Sequence, residues 1–328
     1  MKKVLILGGS GFVGAHVCEK LVAHEWHLTV PTRRMANANN LQTLPNLTVL
    51  EVDVHDEAAL THAIAGHDAV VNLVAILQGD QVDFDRVHLE LPQKLGRACR
   101  AARIKKLLHL SALGAHAENW QAAPSMYLRS KGAGEAALIE AAGTGLNAAF
   151  ELTLLRPSVI FGAEDKFINV FAELQRVLPV MPLAGAHARF QPVWVEDVAA
   201  AVVNCLERAG SAPVGATPRI LELCGPEVFE LEDLVHLAGQ LSGHQRPVLA
   251  LPEWAGRLQA RLMELAPGTP KMSRDNLDSM RVDNVASGEL PGLESLGITP
   301  SALRPIAQEY LTSSQADHGV LGKRQRAH

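Results

Sequence analysis

Near its start the chain reads Lys3-Val4-Leu5-Ile6-Leu7-Gly8-Gly9-Ser10-Gly11-Phe12-Val13-Gly14, an apolar run that stops at a glycine segment. The run predicts a strand buried on both faces, and Val13, Val17 and Leu21 predict a helix with one apolar side directly after it. Glycine at the first, fourth and seventh positions between them suits a turn that seats a dinucleotide pyrophosphate on the helix N-terminus. Gly8 permits the tight turn, Gly11 lets the backbone approach the phosphates, and Gly14 lets the helix pack closely on the strand. Gly9, Ser10, Phe12 and Val13 complete this candidate binding segment. An ordinary strand-to-helix turn is the competing reading.

Strand-like runs recur outward from this point at Leu28 to Thr32, Leu47 to Val52, Ala69 to Val74, Lys106 to Leu110 and Ala149 to Leu155, with helical patterns between them. Short apolar runs separated by helices are what a parallel sheet covered on both faces requires. The expected fold is therefore α/β: a doubly wound parallel Rossmann sheet with a smaller, irregular C-terminal lobe. Residues 1–160 are read as the NAD(P)-binding domain. Residues 161–311 are read mainly as a substrate or partner lobe, with a return segment near 190–207, and 312–328 as a flexible tail.

The chain has 328 residues, is 48% hydrophobic and carries a formal net charge of −5. It can bury two unequal cores, and its charge gives no reason to expect nucleic acid. The basic residues Lys323, Arg324 and Arg326 form too short a cluster to change that. Cys18, Cys99, Cys205 and Cys224 lack paired spacing and read as reduced core or helix residues. The scattered histidines show no metal-ligand pattern, so no metal is expected. The first strand begins at once, which leaves no room for a signal peptide, and no apolar stretch reaches membrane-spanning length. A cytoplasmic protein is expected, peripheral at the inner face of a membrane in one reading. Trp254, Leu258, Leu262 and Leu265 fall at helix-face spacing between Pro252 and Pro267. They are read first as packing on the small lobe, and alternatively as an exposed face that meets a membrane or larger complex.

About 20 residues past the glycines, where NAD-preferring folds place an acid on the ribose 2′-hydroxyl, the chain has Thr32-Arg33-Arg34. A carboxylate there would repel a 2′-phosphate, whereas guanidinium groups pair with it. NADP(H) is favoured over NAD(H), against the alternative of two solvated arginines. Asp53 and Val54 follow the third strand toward the adenine edge. Leu73, Val74 and Ala75 end the fourth, beside the cofactor's middle.

Tyr127, one of only two tyrosines, stands four residues before Lys131. On a helix over Ser125 to Ala142 both side chains share a face. An ammonium and a cationic nicotinamide both favour phenolate, so Tyr127 suits proton donation to a carbonyl oxygen as hydride arrives at carbon, while Lys131 also holds the nicotinamide ribose. The competing reading is a packed Tyr beside a solvated Lys.

With these residues assembled, the chain resembles the extended or atypical branch of the short-chain dehydrogenase/reductase superfamily. The motifs are Gly8 to Gly14, Asp53-Val54, Tyr127 with Lys131, and Leu155-Arg156-Pro157-Ser158-Val159-Ile160-Phe161-Gly162. Pro157 and Val159 from the last run join the candidate cofactor contacts. Within that branch, Thr32-Arg33-Arg34, Asn72 to Leu77, His109 to Ala115, Tyr127 to Lys131 and Phe190 to Ala199 resemble the group containing the NADPH-binding accessory subunit of respiratory complex I.

Active extended members carry a Ser or Thr on the loop beyond the fifth strand. Here Ser111 falls at the strand end and Ala112, Leu113 and Gly114 follow, so Ser111 is read either as the third catalytic group or as a backbone cap. Three functions follow from the resemblance: an NADP(H)-dependent oxidoreductase acting on a small organic or quinone-related carbonyl, a catalytically silent NADPH-binding accessory or assembly protein of a respiratory or ubiquinone-synthesis complex, and a sugar-nucleotide epimerase or dehydratase. Arg33 and Arg34 count against the last.

Overall fold

A computed structural model describes residues 2–208, 218–265 and 272–312. The chain begins with β1 (Lys3–Leu7), α1 (Phe12–Ala23), β2 (His27–Thr32), β3 (Leu47–Glu51), α2 (Glu57–Ile64) and β4 (Ala69–Asn72). It continues through α3 (Gln81–Asp85), a π-helical turn (Arg86–Glu90), α4 (Leu91–Ala101), β5 (Lys106–Leu110), α5 (Met126–Ala142) and β6 (Glu151–Pro157). Next come β7 (Ile160–Phe161), α6 (Ile168–Val177), β8 (Met181–Ala184), β9 (Arg189–Phe190), β10 (Val193–Trp194), α7 (Val195–Glu207) and β11 (Arg219–Leu223). Last are β12 (Phe229–Glu230), α8 (Leu231–Leu241), β13 (Val248–Leu251), α9 (Glu253–Leu265), α10 (Arg274–Ser279) and a helix over 303–312.

Seven parallel strands pair in the order β11-β6-β5-β4-β1-β2-β3. This is the doubly wound Rossmann sheet. Val4, Leu5, Ile6 and Leu7 of β1 are fully buried, as a strand covered on both faces must be. The strand order reverses between β1 and β4, and the C-terminal ends of such strands flank the crevice where open α/β sheets bind ligands.

Two compact units divide the chain. The first comprises Met1–Pro157, Val195–Leu223 and Ala286–Thr299, and the second Ser158–Trp194, Cys224–Val285 and Pro300–His328. On one face of the first unit's sheet, Leu5, Leu7, Val70, Leu107, Leu152 and Leu154 pack with Leu60, Ile64, Leu91, Leu95 and Leu138 from α2, α4 and α5. The second unit has its own core, with Phe161, Ile168, Leu183, Leu231, Leu234 and Val235 among its buried members. Nothing in the sequence marks Ala286–Thr299 as a further return. Its role is to cover the outer edge of β11: the Glu222 N–H donates to the Pro291 carbonyl at 3.0 Å, and the Glu222 carboxylate accepts from the Ser287 N–H and hydroxyl at 2.7 and 2.9 Å.

Packing of the Trp254 face on the small lobe is not what α9 does. Trp254, Leu258, Leu262 and Leu265 are 72%, 52%, 60% and 76% exposed, and the helix instead buries Gly256 and Ala260. The small residues let α9 lie close on β8, where a Cβ on Gly256 would stand 2.6 Å from that of Ala184. All four cysteines are free and buried. No helix among the described residues is long and apolar enough to cross a membrane, and no group of acidic, histidine and cysteine side chains there could hold a metal. Thr312, the first residue of the expected tail, instead ends the helix over 303–312; the rest, 313–328 with Lys323, Arg324 and Arg326, and Pro267 lie outside the described residues.

Candidate functional site

The glycine segment closes β1 as its spacing requires. Gly8 takes φ +79°, and a Cβ there would stand 3.0 Å from the Leu73 carbonyl carbon and 3.1 Å from the Val74 nitrogen. A Cβ on Gly14 would overlap the Gly8 carbonyl and Gly9, so α1 starts in direct backbone contact with the turn. Gly11 is the N-cap residue and supplies no side-chain cap, which leaves the first-turn N–H groups, among them those of Phe12 and Val13, as an open anion-binding terminus. Ser10 lies within the turn. Leu73 continues the ladder by donating its N–H to the Leu7 carbonyl at 2.9 Å, bringing Leu73, Val74 and Ala75 alongside the glycines.

At the end of β2, the Thr32 hydroxyl donates to the Arg34 carbonyl at 3.1 Å, and the Met35 N–H donates to Glu51 Oε2 at 3.0 Å. The turn carrying Arg33 and Arg34 is therefore fixed at both ends. Both arginines are exposed, and neither is held in an ion pair among the described residues. Asp53 accepts the His55 N–H at 2.9 Å, closing the turn after β3 with Val54 half-buried inside it.

Ser125 caps α5 by accepting the Leu128 N–H at 3.1 Å, which fixes where the helix starts and hence where Tyr127 and Lys131 project. Lys131 is 1% exposed, and its ammonium donates to the Leu110 carbonyl at the end of β5 at 2.7 Å. Burial lowers its pKa to about 8, partly offset by Glu135, so the ammonium form dominates at neutral pH. It is not the solvated lysine of the competing reading. Tyr127 is half-buried and stands edge-on to the rings of His88 and Phe84, with centroids 5.5 and 6.1 Å away.

Ser111 directly follows β5 and prolongs its pairing, its N–H donating to the Leu155 carbonyl at 2.7 Å. Its hydroxyl is buried without a partner among the described residues, so it caps no backbone. Pro157, at the end of β6, accepts the Leu113 N–H at 3.0 Å and holds the post-β5 segment down. Val159 belongs to the second unit, where Asn284 Oδ1 accepts its N–H at 3.0 Å.

A polar row lies beneath these residues. Asn72 Oδ1 accepts the Val74 N–H, so its amide nitrogen donates to His109 Nδ1 at 3.0 Å and His109 carries its proton on Nε2. Burial, with Lys131 and His88 nearby, holds His109 well below the usual histidine range. Arg156 meets Glu135 through two bonds of 2.9 and 2.6 Å, both side chains buried, and so ties the end of β6 to α5. Spacing gives no sign of this pair, 21 residues apart, or of His88.

An uncapped helix terminus at a glycine turn, a buried ammonium with one protein acceptor and an unpartnered buried hydroxyl fit the phosphates and ribose of a dinucleotide. The sequence pattern of the NAD-dependent epimerase/dehydratase family matches residues 4–218, and the chain belongs to that family. It is 29% identical over 314 residues to mouse mitochondrial NADH dehydrogenase [ubiquinone] 1 alpha subcomplex subunit 9, covering 93% of this chain and 78% of that protein. Similarity to the ceramide reductase of Caulobacter vibrioides is 27% over 256 residues, 71% of this chain and 77% of that one. The solved structure of MoeE5 with UDP-glucose and NAD has the same fold, with a TM-score of 0.70 at 16% identity over 96% of this chain and 99% of that one.

Proposed function

We propose that this protein is an NADP(H)-binding oxidoreductase that reduces the carbonyl of a small organic or quinone-related compound. The supporting observation is Lys131, a buried ammonium held on the Leu110 carbonyl one helical turn from Tyr127. In this reading the N–H groups from Gly8 to Gly14 hold the pyrophosphate, Arg33 and Arg34 the 2′-phosphate, Asp53 and Val54 the adenine, and Leu73 to Ala75 the middle of the cofactor. Lys131 and Ser111 take the ribose and the substrate side, with Pro157 at the nicotinamide. Bound cofactor supplies hydride. Tyr127 gives the proton to the carbonyl oxygen, and the Lys131 ammonium favours the phenolate that remains.

The test is to titrate NADPH and NADH into cofactor-stripped protein, with Arg33→Ala, Arg34→Ala alongside. NADPH preference lost in the variant, together with carbonyl reduction lost in Tyr127→Phe, is the expected result. Equal or tighter NADH binding overturns the cofactor assignment, and unchanged turnover in Tyr127→Phe overturns the mechanism.

A second reading is an NADPH-binding accessory protein of a respiratory assembly, peripheral at a membrane. It is favoured by Ala112 following Ser111 in place of a loop hydroxyl, and by complex I subunits among the relatives. Cofactor that copurifies but never turns over, with a respiratory partner retained on native purification, separates it from the first.

A further inference from the structure

Pro92 has no N–H, and it stands four residues after His88, where a regular helix would supply the donor for the His88 carbonyl. The chain widens instead: the Leu91 N–H bonds to the Arg86 carbonyl, making a π-helical turn over Arg86–Glu90. The His88 carbonyl is pressed against Gly134 of α5, so closely that a Cβ on Gly134 would overlap its oxygen. The His88 side chain is 1% exposed.

Both ring nitrogens of His88 have fixed roles. Nε2 accepts the Ile76 N–H at 3.1 Å, and because a backbone N–H only donates, Nε2 carries no proton. Nδ1 lies 2.9 Å from the Ser130 hydroxyl oxygen, whose own proton goes to the Tyr127 carbonyl at 2.8 Å. The proton of His88 is therefore on Nδ1. Burial, with the charge of Lys131 added, lowers its pKa to about 2, so the ring stays neutral through the physiological range. Its plane stands at 81° to that of Tyr127.

The two bonds reach different parts of the candidate site. Ile76 directly follows Leu73–Ala75, whereas Ser130 lies between Tyr127 and Lys131 on α5. We infer that His88 is a positioning residue: as a neutral imidazole protonated on Nδ1, it locks the segment after β4 to the Tyr127 helix. Cofactor contact and proton transfer then share one rigid frame. The inference rests on the proposed oxidoreductase reading for its consequence, and on the geometry alone for its tautomer.

Three variants separate the bonds. His88→Phe keeps a ring and loses both; His88→Gln places an acceptor near the Nε2 position for Ile76; His88→Asn places a donor near the Nδ1 position for Ser130. NADPH affinity and the Tyr127 phenol titration, followed by absorbance in a Tyr310→Phe background, are measured with the thermal midpoint. His88→Phe is expected to weaken NADPH binding about tenfold and to move the Tyr127 titration by about half a pH unit or more. His88→Gln should restore affinity more than the titration, and His88→Asn the reverse.

Loss of thermal stability with NADPH affinity and the titration unmoved overturns the inference, as does equal behaviour of the Gln and Asn variants. If His88→Phe does not fold, nitrogen-15 NMR of the wild-type histidines decides: a proton on Nδ1 that persists from pH 5 to 9 is expected, and a proton on Nε2 or a titrating ring overturns the assignment. If the wild type binds no dinucleotide, the oxidoreductase reading fails separately. The Tyr127 titration then decides alone, and an unmoved curve in His88→Phe rejects the positioning role.

Discussion

The Arg156 guanidinium and the Glu135 carboxylate face each other as a two-bond pair inside the first unit, with 6% and 0% of their side chains exposed. Removing one partner leaves an uncompensated buried charge, so Glu135→Gln or Arg156→Met should each destabilise the protein by about 3–5 kcal/mol. The double substitution Glu135→Leu, Arg156→Met should recover most of that loss, since apolar residues of similar volume replace such pairs at little cost. Denaturant unfolding of the three variants checks this. A double variant no more stable than the worse single one would refute it.

Stability should fall in mild acid. His88, with a pKa near 2, and His109, held well below 6.5, stay neutral when folded and take up a proton only on unfolding. Between those values and 6.5 the unfolded chain binds more protons, so stability rises with pH and is lost as pH falls below 6.5. Each histidine contributes a slope of up to about 1.4 kcal/mol per pH unit. His55 and His67 shift in the same direction. Urea unfolding from pH 6.5 to 5 should show the decline, with a shallower slope in His109→Gln.

Gly14 and Gly66 make a matched comparison. A Cβ on Gly14 meets the backbone of Gly8 and Gly9, whereas one on Gly66, at φ +82°, meets nothing within 4 Å. Gly66→Ala should cost only left-handed strain, about 1–2 kcal/mol. Gly14→Ala should push α1 off β1 and abolish dinucleotide binding, while Gly66→Ala leaves binding intact. Calorimetric titration of NADPH into both decides; binding retained in Gly14→Ala would show that the turn has room to yield.

Much of the fold was legible because parallel strands buried on both faces leave unbroken apolar runs. The apolar run Lys106–Leu110 coincides with β5 to the residue, and the runs at Leu28 and Leu47 match β2 and β3 to within one. The glycine turn and the Tyr127–Lys131 spacing were legible because both are local. His88 and the partners of His109 and Arg156 were not, since only the fold brings those partners near. The buried side of α9 differs from the expected one for a related reason: a helix-period stripe of large apolar residues usually marks the buried side, but here Gly256 and Ala260 set the close packing.

That reversal is testable. Because Trp254 and Leu258 are largely exposed, Trp254→Asp, Leu258→Asp should change stability by less than about 1 kcal/mol, as surface substitutions do. Ala260→Leu, placed in the close contact, should cost more, about 1–3 kcal/mol. Thermal unfolding of the two proteins side by side checks the order, and the opposite order would return the Trp254 face to the core.

The segment Ala286–Thr299, which lies along the edge of β11, also bears on how the protein is born. The first unit draws on three separated stretches of chain, the last ending at Thr299. Its sheet can begin to assemble from the N-terminal strands during synthesis, but β11 joins β6 only once Arg219–Leu223 has left the ribosome. The edge of β11 stays open until the return stretch follows. Throughout that interval the growing chain presents an unpaired strand to its neighbours, the condition in which edge-to-edge aggregation starts. A nascent chain stalled once residue 223 has left the ribosome, but before residues 286–299 have, is therefore expected to self-associate more readily than one released in full, which makes translation pace over the last third of the message a determinant of yield.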